Sequence, residues 1–255
     1  MRALYLAKSK RSAARGLEWL VEQGCDVAAV VASEPDRWTR DAQRVDLVAR
    51  RHDIPLMGES ELYADPPADV DVVISFLYWR LIREPLISLG RVGCLNFHPA
   101  PLPDFRGLGG YNVAILEGLR EWGVSAHFVD ARFDTGDLVE VERFAFDSDT
   151  ATAFSLDLAS QEHLLALFER TMGRVLAGEE LPRSPQGEGR YVTRGEFEEL
   201  RRVRPGDDLE RKLRAFWYPP HAGAVVEVGG RELTLVDEQL LAEAADAYRD
   251  AGLLP

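Results

Sequence analysis

Residues 2–7 read Arg-Ala-Leu-Tyr-Leu-Ala, and residues 26–32 read Asp-Val-Ala-Ala-Val-Val-Ala. Short apolar runs of this kind are typical of buried strands. The segment between them, residues 13–23, carries apolar side chains at helical spacing and ends at Gly24, a residue that commonly follows a helix. A strand, a helix and a second strand in this order predict a βαβ unit with parallel strands.

The same alternation continues along the chain. Further strands are predicted at 70–76, 92–97, 123–129 and 137–144, and further helices at 41–51, 83–89, 110–119 and 151–176. We therefore expect an α/β fold built on a Rossmann-like, mostly parallel sheet.

The amino-acid composition changes after Gly178, where prolines and glycines become frequent. We expect a catalytic domain at 1–180, a linker at 181–206 and a small C-terminal subdomain at 207–255. That subdomain is predicted to hold a helix and a β-hairpin turning at Gly229-Gly230, since a glycine pair between two strand-like runs favours a tight turn.

The composition excludes several classes of protein. The net charge of −13 disfavours a nucleic-acid partner, because phosphate contacts need a clustered positive surface. No apolar run approaches the roughly 20 residues that cross a bilayer, and the first run is too short for a signal peptide. The two cysteines, Cys25 and Cys94, are expected to be free thiols. We expect a cytoplasmic protein with no membrane partner.

Residues 94–112 carry the densest group of chemically active side chains: Cys-Leu-Asn-Phe-His-Pro-Ala-Pro-Leu-Pro-Asp-Phe-Arg-Gly-Leu-Gly-Gly-Tyr-Asn. Asn96 and His98 are two residues apart at the end of a predicted strand, so they share one face. In open α/β sheets, ligands bind at the carboxyl ends of the strands. The prolines that follow predict a rigid loop. For an isolated pair, the alternative is that His98 packs in the interior and Asn96 only forms a turn.

A second segment, residues 125–139, contains Asp134-Thr135-Gly136 between two predicted strands. By itself this tripeptide fits an ordinary turn. An aspartic protease needs two such carboxylates side by side, and the sequence has no second Asp-Thr-Gly.

Two other kinds of site are disfavoured by the sequence. A dinucleotide site is disfavoured because residues 7–12, after the first strand, lack glycine. A metal site is not predicted because the histidines are scattered along the chain.

These two segments together resemble a known family. Asn96-x-His98-Pro99, with Asp134-x-Gly136 downstream, is similar to the catalytic signature of the 10-formyltetrahydrofolate-dependent formyltransferases. Within that family, the residues around 98–112 and 122–130 and the tail Phe-Trp-Tyr-Pro-Pro resemble sugar N-formyltransferases acting on nucleotide-linked amino sugars, among them dTDP-sugars.

The resemblance implies a mechanism. Asn96 would donate a hydrogen bond to the oxyanion that develops on the formyl group. His98 would accept the proton of the attacking amine, because an imidazole titrates near neutrality. Asp134 would support the imidazolium or attract the incoming ammonium group.

It also implies ligands and their contacts. The co-substrate would be N10-formyltetrahydrofolate, without a metal, and the partner a small-molecule nucleotide sugar. The implied folate contacts are Phe76, Leu77, Tyr78, Asp130 and Asp137. The candidate sugar or nucleotide contacts are Arg106, Tyr111, Asn112, Trp217 and Tyr218. The resemblance allows a homodimer, and the C-terminal hairpin offers a strand edge for pairing.

Several alternatives remain open at this point. A methionyl-tRNA formyltransferase would usually carry a longer, basic C-terminal barrel, whereas this tail is acidic from Glu238 onward. A formyltetrahydrofolate hydrolase would typically have a regulatory domain ahead of the first strand. We do not expect such a domain here. A formyltransferase for another small amine, or a folate- or nucleotide-binding module without activity, would share the fold.

Overall fold

Strands and helices alternate as expected in the computed structural model, which describes residues 1–35, 39–221 and 223–250. The strands are β1 (Arg2–Ala7), β2 (Asp26–Ala32), β3 (Val72–Phe76), β4 (Gly93–His98), β5 (Phe105–Gly107), β6 (Glu121–Phe128), β7 (Leu138–Ala145), β8 (Arg190–Val192), β9 (Val225–Val228) and β10 (Arg231–Thr234). The helices are α1 (Arg11–Glu22), α2 (Val45–Arg51), α3 (Glu59–Ala64), α4 (Leu86–Leu89), α5 (Gly110–Leu116), α6 (Ala153–Leu176), α7 (Arg194–Arg201), α8 (Leu209–Phe216) and α9 (Glu238–Asp250).

The main sheet has six strands in the order β2-β1-β3-β4-β6-β7. β1 lies parallel to β2 and β3, and β3 lies parallel to β4. The expected α/β fold with a mostly parallel sheet is therefore confirmed. β6 runs antiparallel to β4, and this reversal places His127 directly opposite Asn96.

The two faces of the sheet bury different side chains. Tyr5, Phe76 and Phe97 project to one face and pack with Phe168 of α6; the ring centroids of Phe97 and Phe168 are 4.9 Å apart. The opposite face is covered by aliphatic side chains and buries the thiol of Cys94. Because successive residues of a strand alternate between faces, Ser75 and Asn96 belong to this second, aliphatic face.

The chain forms two compact units, each assembled from several segments. The first contains Met1–Arg106, Gly123–Arg143 and Ser160–Arg190. The second contains Gly107–Trp122, Phe144–Ala159 and the described residues from 191 onward. The division into 1–180, 181–206 and 207–255 stays a prediction, and residues 222 and 251–255 of its last part lie outside the described residues.

The hairpin and helix near the C-terminus are also present. β9 and β10 pair antiparallel, with Val228 opposite Arg231. Gly229 and Gly230 have φ angles of 59° and 74°. Both angles lie in the left-handed region, which glycine adopts without steric cost. This explains why the turn uses a glycine pair.

Some predicted boundaries change. The helix predicted at 83–89 begins only at Leu86, after Pro85, because proline cannot donate a backbone hydrogen bond within a helix. The helix predicted at 41–51 splits into a 3-10 turn, Asp41–Gln43, and α2. Residues 190–206, which belong to the predicted linker, contain the strand β8 and the helix α7.

Candidate active site

Three polar side chains form a row across three neighbouring strands of the main sheet, β3, β4 and β6. Ser75 on β3 lies opposite Asn96 on β4, and Asn96 lies opposite His127 on β6. The Ser75 Oγ donates to Asn96 Oδ1 at 2.6 Å, and Asn96 Nδ2 lies 2.9 Å from His127 Nε2. The row therefore holds the Asn96 amide at both ends.

The protonation of His127 fixes which way the Asn96 amide faces. His127 Nδ1 lies 2.7 Å from the carbonyl oxygen of Phe128. A carbonyl oxygen only accepts, so Nδ1 carries the hydrogen. Burial, together with the nearby His98, lowers the pKa of His127 to about 4, so the ring is neutral at pH 7 and its Nε2 is an acceptor. Asn96 must then present its NH₂ group to His127 and its oxygen to Ser75.

This arrangement leaves one Asn96 hydrogen for a ligand. The NH₂ group has two hydrogens, and His127 accepts one of them. Among the described residues, no second acceptor for Nδ2 is present. Asn96 is partly exposed, so the remaining N–H can donate to a bound molecule.

The buried His127 makes stability depend on pH. Its pKa is about 4 in the folded chain against an ordinary value of 6.5, so between these values the unfolded chain binds more protons. We expect the contribution of His127 to the free energy of unfolding to be complete above pH 6.5 and to be lost as the pH falls to about 4. Urea unfolding at a series of pH values measures it.

The variant His127→Gln cannot titrate, so its stability should change less over the same range. His163→Gln serves as the control, because His163 is a partly exposed histidine paired with Glu142. Parallel curves for the wild type and His127→Gln would contradict the neutral assignment of His127.

His98 and Asp134 form the second part of the site. His98 Nδ1 lies 3.5 Å from Asp134 Oδ1, and each side chain is 13% exposed. This distance is longer than a direct hydrogen bond but within the range of an ion pair when the ring is protonated. Because Nδ1 faces the carboxylate, Nε2 is the ring nitrogen left for a ligand.

Asp134 also lies near His127, at 3.9 Å from its Nε2. The same carboxylate therefore approaches both histidines. Asn96, His98 and Asp134, which the sequence predicted as a set, are brought together.

The loop that carries Asp134 requires unusual backbone geometry. Asp134 has a φ angle of 55°, a conformation uncommon for residues other than glycine and often found at functional sites. A Cβ on Gly136 would lie 2.0 Å from the carbonyl oxygen of Phe128, so only glycine fits there. The Asp130 carboxylate accepts hydrogen bonds from the backbone of Arg132 and the hydroxyl of Thr135. Asp130, predicted to contact folate, thus shapes the loop.

The side chains of Arg106 and Gln186 also hold this loop in place. The Arg106 guanidinium donates to the carbonyl oxygen of Asp134 at 3.1 Å and to Gln186 Oε1 at 2.8 Å. Gln186 Nε2 donates in turn to the carbonyl oxygen of Gly136 at 2.7 Å. Arg106 thus helps to hold the Asp134 loop, and its predicted contact with a substrate stays a prediction.

The proline loop after β4 is fixed by a buried serine. Ser125 Oγ accepts from the backbone N–H of Leu102 at 2.9 Å and donates to the carbonyl oxygen of Ala100 at 2.8 Å. A Cβ on Gly189 would lie 1.7 Å from the carbonyl oxygen of Pro103, so the chain packs tightly against this loop. The loop therefore follows His98 in a single defined path.

The other predicted folate contacts, Phe76, Leu77, Tyr78 and Asp137, differ in their surroundings. Phe76 is fully buried among aromatic rings, so only its backbone could reach a ligand. Leu77 has a φ angle of 56°, a second strained position near the end of a strand. The Tyr78 hydroxyl donates to Glu59 at 3.3 Å, and burial raises the pKa of Tyr78. Asp137 accepts a backbone bond from Phe128 N through its carbonyl oxygen.

A cavity of about 680 Å³ opens between α3, the segment after β3 and the loop of Asp134. Its lining residues are Glu59, Ser60, Tyr63, Arg80, Leu81, Arg83 and Phe133. Phe133 is 43% exposed and directly precedes Asp134. The cavity therefore combines the apolar side chains of Leu81 and Phe133 with two guanidinium groups, and the Arg80 guanidinium is paired with the Glu59 carboxylate.

The remaining predicted contacts belong to the second unit. The hydroxyls of Tyr218 and Tyr111 donate to the buried carboxylate of Asp157 at 2.5 and 3.3 Å. Asn112 Nδ2 donates to the carbonyl oxygen of Ala215 at 2.7 Å. Trp217 is only 9% exposed, so little of its ring is accessible for the predicted sugar or nucleotide contact, which stays a prediction.

Replacing Tyr218 by phenylalanine separates packing from substrate binding. The variant leaves the Asp157 carboxylate without its shorter hydrogen bond, so we expect the free energy of unfolding to fall by about 1.5–3 kcal/mol in urea. Tyr111→Phe is the matched control and should cost less, because its hydroxyl is 3.3 Å from the same carboxylate. Unchanged stability with a raised KM for the acceptor would instead assign Tyr218 to substrate binding.

Two features are absent from the described part of the chain. No group of three or more His, Cys, Asp or Glu side chains is placed to hold a metal ion. No helix between residues 1 and 250, the gaps apart, is long and apolar enough to cross a membrane. Cys25 and Cys94 are both free thiols, as the sequence predicted.

Comparison with known proteins identifies the family. The family model described as formyl transferase matches residues 57–171. The methionyl-tRNA formyltransferase of Myxococcus xanthus is 31% identical over 224 residues, which cover 82% of this chain and 70% of that protein. This chain belongs to the formyl transferase family.

Two further formyl transferases are similar. The GDP-perosamine N-formyltransferase of Brucella melitensis is 30% identical over 175 residues; the match covers 64% of this chain and only 63% of that protein. The solved N-formyltransferase from Helicobacter canadensis, in complex with folinic acid and dTDP-3-aminofucose, aligns with a TM-score of 0.71 at 18% identity. That alignment covers 90% of this chain and 85% of the other, and at this identity it shows a common fold.

Three residues near the formyl transferase signature were missed by the sequence analysis. His127 lies inside the quoted segment 125–139, but only the register of β6 against β4 reveals that it faces Asn96. Ser75 lies inside the predicted strand 70–76, and the sequence pattern assigned it no role. Gln186 lies in the predicted linker, and no sequence signal connected it with Gly136.

Proposed function

We propose that this chain transfers a formyl group from N10-formyltetrahydrofolate to the primary amine of a nucleotide-linked amino sugar. Membership of the formyl transferase family supports the reaction class. The named activity of the Brucella relative and the ligands of the Helicobacter structure support an amino sugar as acceptor and folate as donor.

One observation carries the proposal. An amide donor with one uncommitted N–H and a histidine beside a carboxylate meet at the carboxyl end of β4. Formyl transfer to an amine needs both functions: a donor where negative charge develops on the formyl oxygen, and an acceptor for the proton of the amine.

Asn96 supplies the first function. Its amide is held between Ser75 and His127, so the donor does not have to reorganise during the reaction. A preorganised donor stabilises the developing charge more than a mobile one, because its orientation is established before the substrate arrives.

His98 supplies the second function. Its Nε2 accepts the proton, and the Asp134 carboxylate, 3.5 Å from Nδ1, stabilises the imidazolium that results. The loop contacts of Arg106 and Gln186 fix the position of that carboxylate. His127 is the less suitable base, because burial keeps its pKa near 4.

The residues present fit a reduced folate. The co-substrate supplies the formyl carbon, which is bonded to a nitrogen that can leave. Leu77 and the loop from Asp130 to Asp134 would offer backbone groups to a pterin ring. Phe133 and Leu81 would contact apolar parts of the ligand, and Arg80 and Arg83 line the same cavity, where guanidinium groups suit carboxylates.

A substrate screen tests the function. Purified protein is incubated with 10-formyltetrahydrofolate and either a dTDP-linked amino sugar, GDP-perosamine, a small free amine or methionyl-tRNA, and folate release is followed by absorbance. The proposal expects turnover with at least one nucleotide sugar. Formate release without any amine would indicate a hydrolase, and no reaction in any arm would reject the enzyme assignment.

Methionyl-tRNA is a second candidate acceptor because the Myxococcus enzyme of that name is 31% identical over most of this chain. The net charge of −13 argues against it, since tRNA binding relies on positive surface. Salt-dependent tRNA binding, together with formylation of methionyl-tRNA, would favour the tRNA activity over the sugar activity.

A further inference from the structure

Ser75 is a buried polar side chain that the catalytic signature does not include. It is 2% exposed and lies in β3, between Ile74 and Phe76, which are both fully buried. A buried hydroxyl in a strand of apolar residues carries a desolvation cost unless it is hydrogen-bonded. Its described partner is Asn96 Oδ1, at 2.6 Å.

The direction of this hydrogen bond follows from the rest of the row. Phe128 accepts from His127 Nδ1, so His127 Nε2 must accept from Asn96 Nδ2, and Asn96 Oδ1 therefore faces Ser75. An amide oxygen only accepts, so the Ser75 hydroxyl is the donor. The row runs in one direction, from Ser75 through Asn96 and His127 to the backbone of Phe128.

A donor on the amide oxygen has two effects on the amide nitrogen. It restrains rotation of the side chain, because the amide is then held at its oxygen as well as at its nitrogen. It also polarises the amide, since hydrogen bonds in a chain strengthen one another, and this makes the remaining Asn96 N–H a stronger donor.

We propose that Ser75 is a positioning residue for formyl transfer, which orients and polarises the Asn96 amide so that its second N–H is directed at the formyl oxygen. The proposal rests on the proposed function, because it assigns Ser75 a part in the step that Asn96 assists. Ser75 itself contacts no reacting atom and acts through Asn96.

Kinetics of Ser75→Ala test this role. The loss of one buried hydrogen bond to the amide should lower kcat about fivefold to tenfold, while the KM values for folate and acceptor stay within about twofold. Ser75→Thr keeps the hydroxyl and should restore most of kcat. Ser12→Ala is the matched control, because Ser12 is also buried and its Oγ donates to Gln161 outside the site; it should leave kcat unchanged.

A double-mutant cycle separates positioning from general structural support. In an Asn96→Ala background, Ser75→Ala should change kcat by less than about twofold, because the amide on which Ser75 acts is gone. Wild-type kcat in Ser75→Ala, or the same fold-loss with and without Asn96, would overturn the proposal.

A function-independent measurement distinguishes this failure from failure of the proposed function. The sequence contains only two asparagines, Asn96 and Asn112, so selective ¹⁵N labelling resolves their side-chain amides by NMR. Ser75→Ala should accelerate hydrogen exchange at the Asn96 amide and leave Asn112 unchanged. A wild-type protein that transfers no formyl group would refute the function, whereas unchanged Asn96 exchange in Ser75→Ala would refute the positioning.

Discussion

Replacing His98 by alanine is expected to lower kcat by two or more orders of magnitude, because the variant has no group in this position to accept the proton of the amine. His98 is only 13% exposed and projects from the end of β4 toward Asp134. The remaining Asn96 donor should preserve some acceleration. Steady-state kinetics with the acceptor identified in the substrate screen measure the change.

The control must show that the loss comes from chemistry and not from unfolding. His163→Ala removes a partly exposed histidine paired with Glu142 on the surface of α6 and β7, and it should leave kcat unchanged. Melting curves of both variants should resemble that of the wild type. Near-wild-type turnover in a folded His98→Ala protein would remove His98 from the mechanism.

Replacing Asn96 is expected to have an effect of similar size. Loss of a single oxyanion donor typically lowers kcat by about 10²–10³, and under the proposed function Asn96→Ala removes the amide that donates to the formyl oxygen. The same change leaves the Ser75 hydroxyl and the His127 Nε2 without their partner, so stability should fall as well. Kinetics and urea unfolding are measured together.

Asn96→Asp is the variant of matched size. It keeps the volume of the side chain but places a carboxylate oxygen opposite the His127 Nε2 acceptor, and it offers no N–H to the formyl oxygen. We expect kcat to fall at least as far as in Asn96→Ala. Retention of more than about a tenth of wild-type kcat in Asn96→Asp would show that an amide donor is not required there.

The different surroundings of His127 and His98 explain why two histidines in one site can differ in role. His127 is buried on β6 and donates Nδ1 to the Phe128 carbonyl, and burial lowers its pKa to about 4. His98 remains partly accessible and faces a carboxylate. In the proposed mechanism, His127 orients Asn96 in its neutral form, and His98 exchanges a proton with the substrate.

The sequence predicted the sheet and the central pair of the site because both follow from local rules. Alternating strands and helices determine a parallel sheet, and Asn96 and His98 share a face because strand side chains repeat every two residues. The family resemblance added Asp134, and the steric limit at Gly136 explains why a glycine follows it at that spacing.

Only the tertiary structure decided how the other polar groups are used. The antiparallel register places His127 opposite Asn96, Arg106 and Gln186 hold the Asp134 loop, and Trp217 is buried. Spacing along the chain determines which side chains share a face. Register between strands distant in sequence, and competition among neighbours for each hydrogen-bond donor, exist only once the chain has folded.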